Sequence, residues 1–149
     1  MTSYKNPTPT VDAVIELPDG KIVLIERANP PYGVAFPGGF VDEGETFEDA
    51  CIREAAEETS LRIDLVALLG VYSDPARDPR QHNVSITFVA RSNDLPEAAD
   101  DAASILLVEP DALLDQSFVF DHALIASDYL QWRETRLAAP PRPLLKDRS

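Results

Sequence analysis

Apolar residues recur along this chain with two different spacings, and the change of spacing divides it into strands and helices. Stretches that are rich in β-branched residues or that alternate apolar with polar residues are typical of strands. Such stretches cover residues 11–17, 21–27, 34–36, 62–73, 84–92 and 103–108. Helical spacing of apolar residues appears at 47–59 and 122–136, with a short helix expected over 109–114. The order β-β-β-α-β-β-β-α predicts an α/β (α+β) fold, in which a mixed β-sheet carries helices on both faces.

Turn and capping signals set the boundaries of these elements. Asp19-Gly20 predicts a tight turn that joins the first two strands as a hairpin. Thr46 is expected to cap the first helix, and Asp121 the second. The segment from about 138 to 149 contains three prolines, so we expect an extended or flexible tail there. We find no signal for a second domain and treat 1–149 as a single domain.

The first helix changes character halfway along. At 100° per residue, Phe47, Ala50 and Cys51 lie on one stripe, and the continuation of that stripe is acidic: Glu54, Glu57 and Glu58. Like charges three or four residues apart on a helix destabilise it by a few tenths of a kcal/mol per pair. We therefore expect a cation to neutralise this acidic face.

Composition narrows the classes of partner. The chain has 149 residues, 44% of them hydrophobic, and carries 26 acidic against 13 basic residues, a net charge of −13. That charge argues against nucleic acid or an anionic membrane as partner, so an anionic ligand would have to bind through metal ions. Cys51 is the single cysteine and is expected to be a small buried residue. There is no signal-peptide pattern and no membrane-length apolar run, so we expect a cytoplasmic protein.

The acidic helix lies within a stretch that resembles the signature of the Nudix hydrolases. That signature reads G-x5-E-x7-R-E-U-x-E-E-x-G-U, where U is a bulky apolar residue. The positions of this sequence that match it are Gly39, Glu45, Arg53, Glu54, Glu57, Glu58 and Leu61. Ala55 is smaller than the pattern prefers, and Ser60 replaces the final glycine. A merely solvated acidic helix is the alternative interpretation, but it would not require this complete spacing.

The resemblance implies a Nudix-like α/β/α sandwich and a metal-dependent pyrophosphatase. Glu54, Glu57, Glu58 and the carbonyl of Gly38 would bind Mg²⁺, with Mn²⁺ as the alternative ion, and Glu57 would count among the catalytic residues. Hard oxygen ligands of this kind suit Mg²⁺, which shares its coordination shell with substrate phosphates. Arg53 and Glu45 would be catalytic orienters, because Arg53 would hold the glutamates in place.

The likeness extends beyond the signature to small ADP-ribose pyrophosphatases. TVDAVIEL, the NPPYG turn, PGGFVDEGE and VYSDPARDPRQHNVS all carry it. It implies hydrolysis of ADP-ribose, a small nucleotide, to AMP and ribose 5-phosphate, and a homodimer is possible. Two alternatives stay open. One is hydrolysis of nucleoside triphosphates, including oxidised ones, and the other is a non-catalytic sensor that binds ADP-ribose.

The polar, proline-stiffened segment 74–83 supplies the candidate substrate-binding residues. Arg77, Arg80 and His82 would contact a phosphate or ribose, because a planar guanidinium suits phosphate oxygens. The competing interpretation is that these residues only balance the neighbouring acids Asp74 and Asp78.

Two aromatic residues and one acid complete the predicted site. Tyr32 and Phe36 would stack on the adenine or line its pocket, although core packing is the stronger interpretation for Phe36. The general base for water would come from Glu97, Asp100 or Asp101, and we choose Asp101. His122, at the start of the last helix, is expected to be structural.

Overall fold

The computed structural model describes residues 4–97 and 102–145. Its strands are β1 (Thr8–Glu16), β2 (Ile22–Arg27), β3 (Val34–Ala35), β4 (Gly38–Phe40), β5 (Asp64–Tyr72), β6 (Asn83–Arg91) and β7 (Ala102–Val108). Its helices are α1 (Phe47–Thr59) and α2 (His122–Thr135), with a 3₁₀ helix at Pro110–Asp115. Every element predicted from the sequence is present, with boundaries that differ by up to three residues.

The strands form one mixed sheet. Its main order is β3-β2-β1-β6-β5, with β4 also paired to β1 and β7 also paired to β2. β1 and β6 run parallel over nine residue pairs, while the other pairs are antiparallel. Parallel β1 and β6 need a long crossover connection, which α1 and β5 occupy.

The sequence pattern missed β4. We expected one short strand over 34–36, whereas the structure has Val34–Ala35 and then a separate strand, Gly38–Phe40, on the other side of Pro37. Glycine has low strand propensity, so two glycines hide a strand from any apolar pattern. Here they are required, because a Cβ on Gly38 would collide with the carbonyl oxygen of Val11.

Alternation along the strands builds two separate cores, one on each face of the sheet. On one face Ala13, Ile15 and Val23 pack with Ala50 and Cys51 of α1. On the other face Val14, Leu24 and Val89 pack with Ile125, Tyr129 and Trp132 of α2. The predicted α/β/α sandwich with a mixed sheet is therefore confirmed. No helix within the described ranges is long and apolar enough to cross a membrane.

The two ends of α1 behave differently. At its start, the Asp49 N–H donates to the Thr46 hydroxyl at 3.1 Å, which confirms the predicted cap. At its end, Ser60 takes the left-handed conformation (φ 60°) and donates its N–H to the carbonyl of Ala56. A serine therefore adopts the conformation for which glycine is the usual choice, at a cost of roughly 1 kcal/mol.

The start of α2 corrects one expectation, and the tail adds contacts that the sequence did not indicate. Asp121 occupies the capping position, but its side chain makes no capping bond and instead accepts two hydrogen bonds from Arg77. The described part of the tail has no regular secondary structure, yet it is attached to the fold. The Ala139 N–H donates to Leu69 of β5 at 2.7 Å, and Arg142 chelates the buried Asp128 of α2.

Candidate active site

A cavity of about 380 Å³ opens where β1, β4 and the second half of α1 meet the loop that precedes β6. Its lining contains five carboxylates, three arginines and several aromatic side chains. The charged residues of the lining are Asp12, Arg27, Asp42, Glu54, Glu58, Arg77, Asp78 and Arg80. Phe36, Phe40, Phe120 and His122 are its aromatic residues. The cavity thus presents both carboxylate and guanidinium groups.

Glu54 and Glu58 belong to this lining because β4 lies directly against α1. A Cβ on Gly39 would fall 2.5 Å from the carboxyl carbon of Glu54, so a larger residue at this position would displace that carboxylate. The Glu58 Oε2 atom is buried and has no hydrogen-bond partner among the described residues. Burial, followed by the charge of Glu54, raises the pKa of Glu58 to about 8. Burial likewise raises the pKa of Glu54.

Arg53 binds the outer side of the same glutamates. Its guanidinium donates to both carboxylate oxygens of Glu45 at 2.7 and 2.8 Å and to Glu54 at 2.9 Å. It also donates to the carbonyl of Phe40 at 3.0 Å, which connects α1 to β4. The bond from Arg53 lowers the pKa of Glu45 to about 2. These are the contacts expected of the orienting pair Arg53 and Glu45.

Glu57 does not line the cavity. Its side chain is 59% exposed and accepts a hydrogen bond from Arg53 at 3.2 Å. The structure therefore brings two of the three predicted metal-binding glutamates to the cavity, together with Gly38. Glu57 would have to leave Arg53 before it could act there.

Arg77 and Arg80 both reach the cavity, and each is held by a carboxylate. Buried Arg77 forms a two-point contact with Asp121 at 3.0 and 2.7 Å, 44 residues away. Arg80 forms a similar contact with Asp78 at 3.1 and 2.9 Å. Charge balancing thus describes their contacts, although Arg77 is paired with Asp121 rather than with Asp74. Both side chains also border the cavity.

Two predicted substrate residues lie outside the cavity lining. Tyr32 is 71% exposed, and the His82 ring lies 3.0 Å from the carbonyl of Ser73. Phe36 is buried, stacks on Phe118 and also borders the cavity. The predicted base Asp101, like Asp100, lies outside the described residues.

Asp12 and His122 are two buried polar residues of the lining. Ser85 donates a hydrogen bond to Asp12, whose pKa is raised to about 7 by burial. His122 accepts a hydrogen bond from the Phe36 N–H at 3.0 Å, and burial lowers its pKa to about 3. A neutral histidine that supports the backbone of Phe36 agrees with the structural role expected for His122.

Sequence reasoning overlooked several residues of the lining, above all Asp12, Arg27 and Phe120. The signal for Asp12 was available, because an acid interrupts the apolar run VDAVIEL. Arg27 and Phe120 had no comparable signal, since a charged residue at a strand end and a phenylalanine in a loop are common. Cys51 is buried, and burial raises the pKa of its thiol to about 12, which confirms its packing role.

Comparison with known proteins places this geometry in a family. The NUDIX domain model matches residues 6–129. The chain belongs to the Nudix family. The matched region includes every element that lines the cavity, so the Nudix signature and the cavity describe the same site.

Three relatives of this Nudix protein are similar over most of its length. It is 44% identical over 134 residues to the ADP-ribose pyrophosphatase of Methanocaldococcus jannaschii, covering 87% of this chain and 77% of that one. The NUDIX domain of Shewanella oneidensis NrtR, solved with ADP ribose, superimposes with a TM-score of 0.76 at 25% identity, over 90% of this chain and 91% of that one. A bifunctional NMN adenylyltransferase/ADP ribose pyrophosphatase of Francisella tularensis was solved with AMP and a Mn ion. It superimposes with a TM-score of 0.71 at 29% identity, over 87% of this chain and 43% of that one.

Nudix hydrolases generally use a divalent metal, and the cavity fits one in part. Within residues 4–97 and 102–145, no three acidic, histidine or cysteine side chains are gathered closely enough to enclose an ion. The orphaned Glu58 oxygen and the neighbouring Glu54 carboxylate nevertheless have the chemistry of a partial hard-cation site. A divalent ion there would relieve the mutual repulsion that the two carboxylates experience.

Proposed function

We propose that this protein hydrolyses ADP-ribose to AMP and ribose 5-phosphate with the help of a divalent metal, most simply Mg²⁺, with Mn²⁺ as an alternative. The observation that carries the proposal is the composition of the cavity, in which Glu54 and Glu58 lie in the same enclosure as three arginines. A metal-bound diphosphate needs both kinds of group, since the ion sits on carboxylates and the remaining negative charge faces guanidinium groups. The similarity to an ADP-ribose pyrophosphatase of Methanocaldococcus jannaschii supports this substrate.

Each residue has a proposed role. Glu54, Glu58 and the carbonyl of Gly38 would hold the ion, joined by Glu57 once it turns away from Arg53. When bound, the ion would polarise the diphosphate and acidify a water molecule. Arg53 and Glu45 keep Glu54 in position through the bonds described above.

The substrate-binding residues and the base complete the proposed site. Arg77 and Arg80 would face the diphosphate, with Phe36 beside the nucleoside, because all three border the cavity. His82 and Tyr32 would take part only if the loops that carry them moved. Asp101 stays our candidate base. A cytoplasmic location and a homodimer also stay predictions.

A substrate panel tests the proposal. Purified protein with Mg²⁺ or Mn²⁺ is offered ADP-ribose, nucleoside triphosphates and an oxidised guanosine triphosphate, and products are separated by chromatography. We expect AMP and ribose 5-phosphate from ADP-ribose at a higher kcat/KM than any triphosphate gives. The variant Glu54→Gln, which keeps the shape of the side chain but loses its charge, should lose at least about a hundredfold in rate and serves as the inactive control.

Two other results would replace the proposal. A wide margin in favour of a triphosphate would make the protein a triphosphate pyrophosphohydrolase. Tight binding of ADP-ribose without turnover in either metal would make it a non-catalytic sensor.

A further inference from the structure

Arg27 differs from the other two arginines of the cavity in its partners. Arg77 and Arg80 are each chelated by a carboxylate, whereas no carboxylate of the described residues lies within 4.0 Å of the Arg27 guanidinium. Its Nε donates to the carbonyl of Pro31 at 2.9 Å, and its two terminal nitrogens have no partner within those residues. Arg27 is half-buried and borders the cavity, and the nearby acids act on its charge only from a distance.

The backbone holds Arg27 at this place. Glu26 pairs with Ser104 and Arg27 with Ala102, so the register between β2 and β7 shifts here by one extra residue on β7. Irregularities of this kind are common next to active sites. The Arg27 N–H also donates to the carbonyl of Gly33 at 2.9 Å, so the following turn is tied to the same residue.

Phe120 is the second irregular residue, and its ring meets the guanidinium. Its φ is 56°, a left-handed conformation that is uncommon and strained for a bulky side chain. The ring centroid lies 5.3 Å from the Cζ of Arg27 and 5.1 Å from the Cζ of Arg80. Strain of this kind persists only where the surrounding structure imposes it, and it concentrates at functional sites.

The surroundings of Phe120 explain how the strain is maintained. Val34 pairs with segment 117–119 through two backbone hydrogen bonds, each of 3.0 Å. A Cβ on Gly33 would fall 2.7 Å from the side chain of Val119, so glycine is needed for the two segments to meet. The turn that holds Arg27 is thus locked to the segment that presents Phe120.

One ring therefore lies beside two positive charges that repel each other. Burial and then the charge of Arg80 lower the pKa of Arg27, which indicates that the two guanidinium groups interact directly. An aromatic face stabilises a cation, so Phe120 offsets part of this repulsion. A bound anion would offset the rest.

We propose that Arg27 binds the diphosphate of the substrate, and that Phe120 aligns it beside Arg80 so that the two arginines form a clamp. The clamp deepens the proposed function and rests on it. Its partner is an anion with oxygens on two phosphorus atoms, because a single carboxylate would engage only one of the two planar groups. Arg27 is then a substrate-binding residue, and Phe120 is a positioning residue.

Kinetics and melting test the clamp together. In Arg27→Ala the KM for ADP-ribose should rise at least tenfold while kcat falls less, because a contact already made in the ground state is lost. Arg27→Lys should give an intermediate KM, since it keeps the charge but not the planar fork. Phe120→Leu should raise KM a few-fold. Arg62→Ala, which removes an exposed arginine outside the cavity, is the matched control and should match the wild type.

The second measurement does not depend on turnover. Inorganic pyrophosphate with Mg²⁺ should raise the Tm of the wild type and of Arg62→Ala but not that of Arg27→Ala. Without ligand, Arg27→Ala should melt at the wild-type temperature or above it, because a repulsion is removed. The proposal is overturned if Arg27→Ala keeps the wild-type KM and pyrophosphate response, or if its ligand-free Tm drops by several degrees, which would make Arg27 a structural brace. If the wild type responds to pyrophosphate but does not hydrolyse ADP-ribose, the proposed substrate fails while the clamp stands.

Discussion

Replacing Glu58 with glutamine should make the metal-free protein more stable at alkaline pH. Glu58 is largely buried, one of its oxygens has no hydrogen-bond partner in the described part of the chain, and its pKa is raised from 4.5 to about 8. An acid whose folded pKa exceeds its unfolded pKa destabilises the fold when it ionises. The wild type therefore loses stability as pH rises from about 4.5 to about 8, and Glu58→Gln does not.

The magnitude follows from the same pKa. Each pH unit between 4.5 and about 8 changes the free energy of unfolding by up to about 1.4 kcal/mol, which limits the total to about 5 kcal/mol. The side chain keeps some contact with water, and Glu54 competes for the same proton, so we expect about 2–3 kcal/mol. For a domain of this size, that corresponds to a rise in Tm of about 5–10 °C.

Urea unfolding in the presence of a chelator, at pH 5 and at pH 8.5, measures the effect. The difference between Glu58→Gln and the wild type should be much larger at pH 8.5 than at pH 5. Glu57→Gln is the matched control, because its side chain is 59% exposed and its removal should change stability by no more than about 0.5 kcal/mol. Equal gains in both variants, or no gain for Glu58→Gln at pH 8.5, would refute the reasoning. Turnover with Mg²⁺ should be almost abolished in Glu58→Gln.

Three further predictions concern the rest of the fold. Arg142→Ala should lower the free energy of unfolding in urea by about 1–3 kcal/mol, because it leaves the buried carboxylate of Asp128 without its two-point partner. An unchanged urea midpoint would mean that the tail contributes nothing to stability. Ser60→Gly should stabilise the protein by roughly 1 kcal/mol, since glycine adopts the left-handed conformation at the end of α1 without penalty; a lower Tm in calorimetry would contradict this. His122 must stay neutral in the fold with a pKa near 3, so stability that is present above pH 6.5 is lost as pH falls toward 3. The stability difference between the wild type and His122→Asn should narrow over that range by roughly 1 kcal/mol per pH unit, and a constant difference in acid denaturation would count against it.

The sequence predicted the pattern of residues within α1 better than it predicted the contacts around this helix. The acidic stripe and its capping threonine follow from spacing within one helix, where geometry is fixed by the 3.6-residue repeat. The role of Arg53 was implied by the resemblance to the Nudix signature and stays a prediction. Glu57 marks the limit of that reasoning. Its position on the helix is correct, but its rotamer is set by the nearby guanidinium of Arg53.

Contacts between segments that are distant in the chain could not be predicted from the sequence. Arg77 could have paired with any nearby acid, and the choice of Asp121 depends on a fold that brings together residues 44 positions apart. The same holds for Arg27 and Phe120, which meet only because the turn after β2 packs against segment 117–119. The strand β4 was missed for a local reason, since its two glycines carry no apolar signal.

Three physical effects act in the same direction on the acidic half of α1. Glu54 and Glu58 are removed from water, they repel each other, and they lie toward the carboxyl end of a helix whose last turn has no basic residue. The helix dipole disfavours anions at that end. Arg53 neutralises this charge only from the outer side of the helix, where it also binds Glu45. On the inner side, the repulsion between the two glutamates remains, and a divalent ion in the cavity would remove it. The stability of α1 and the binding of metal should therefore be thermodynamically linked.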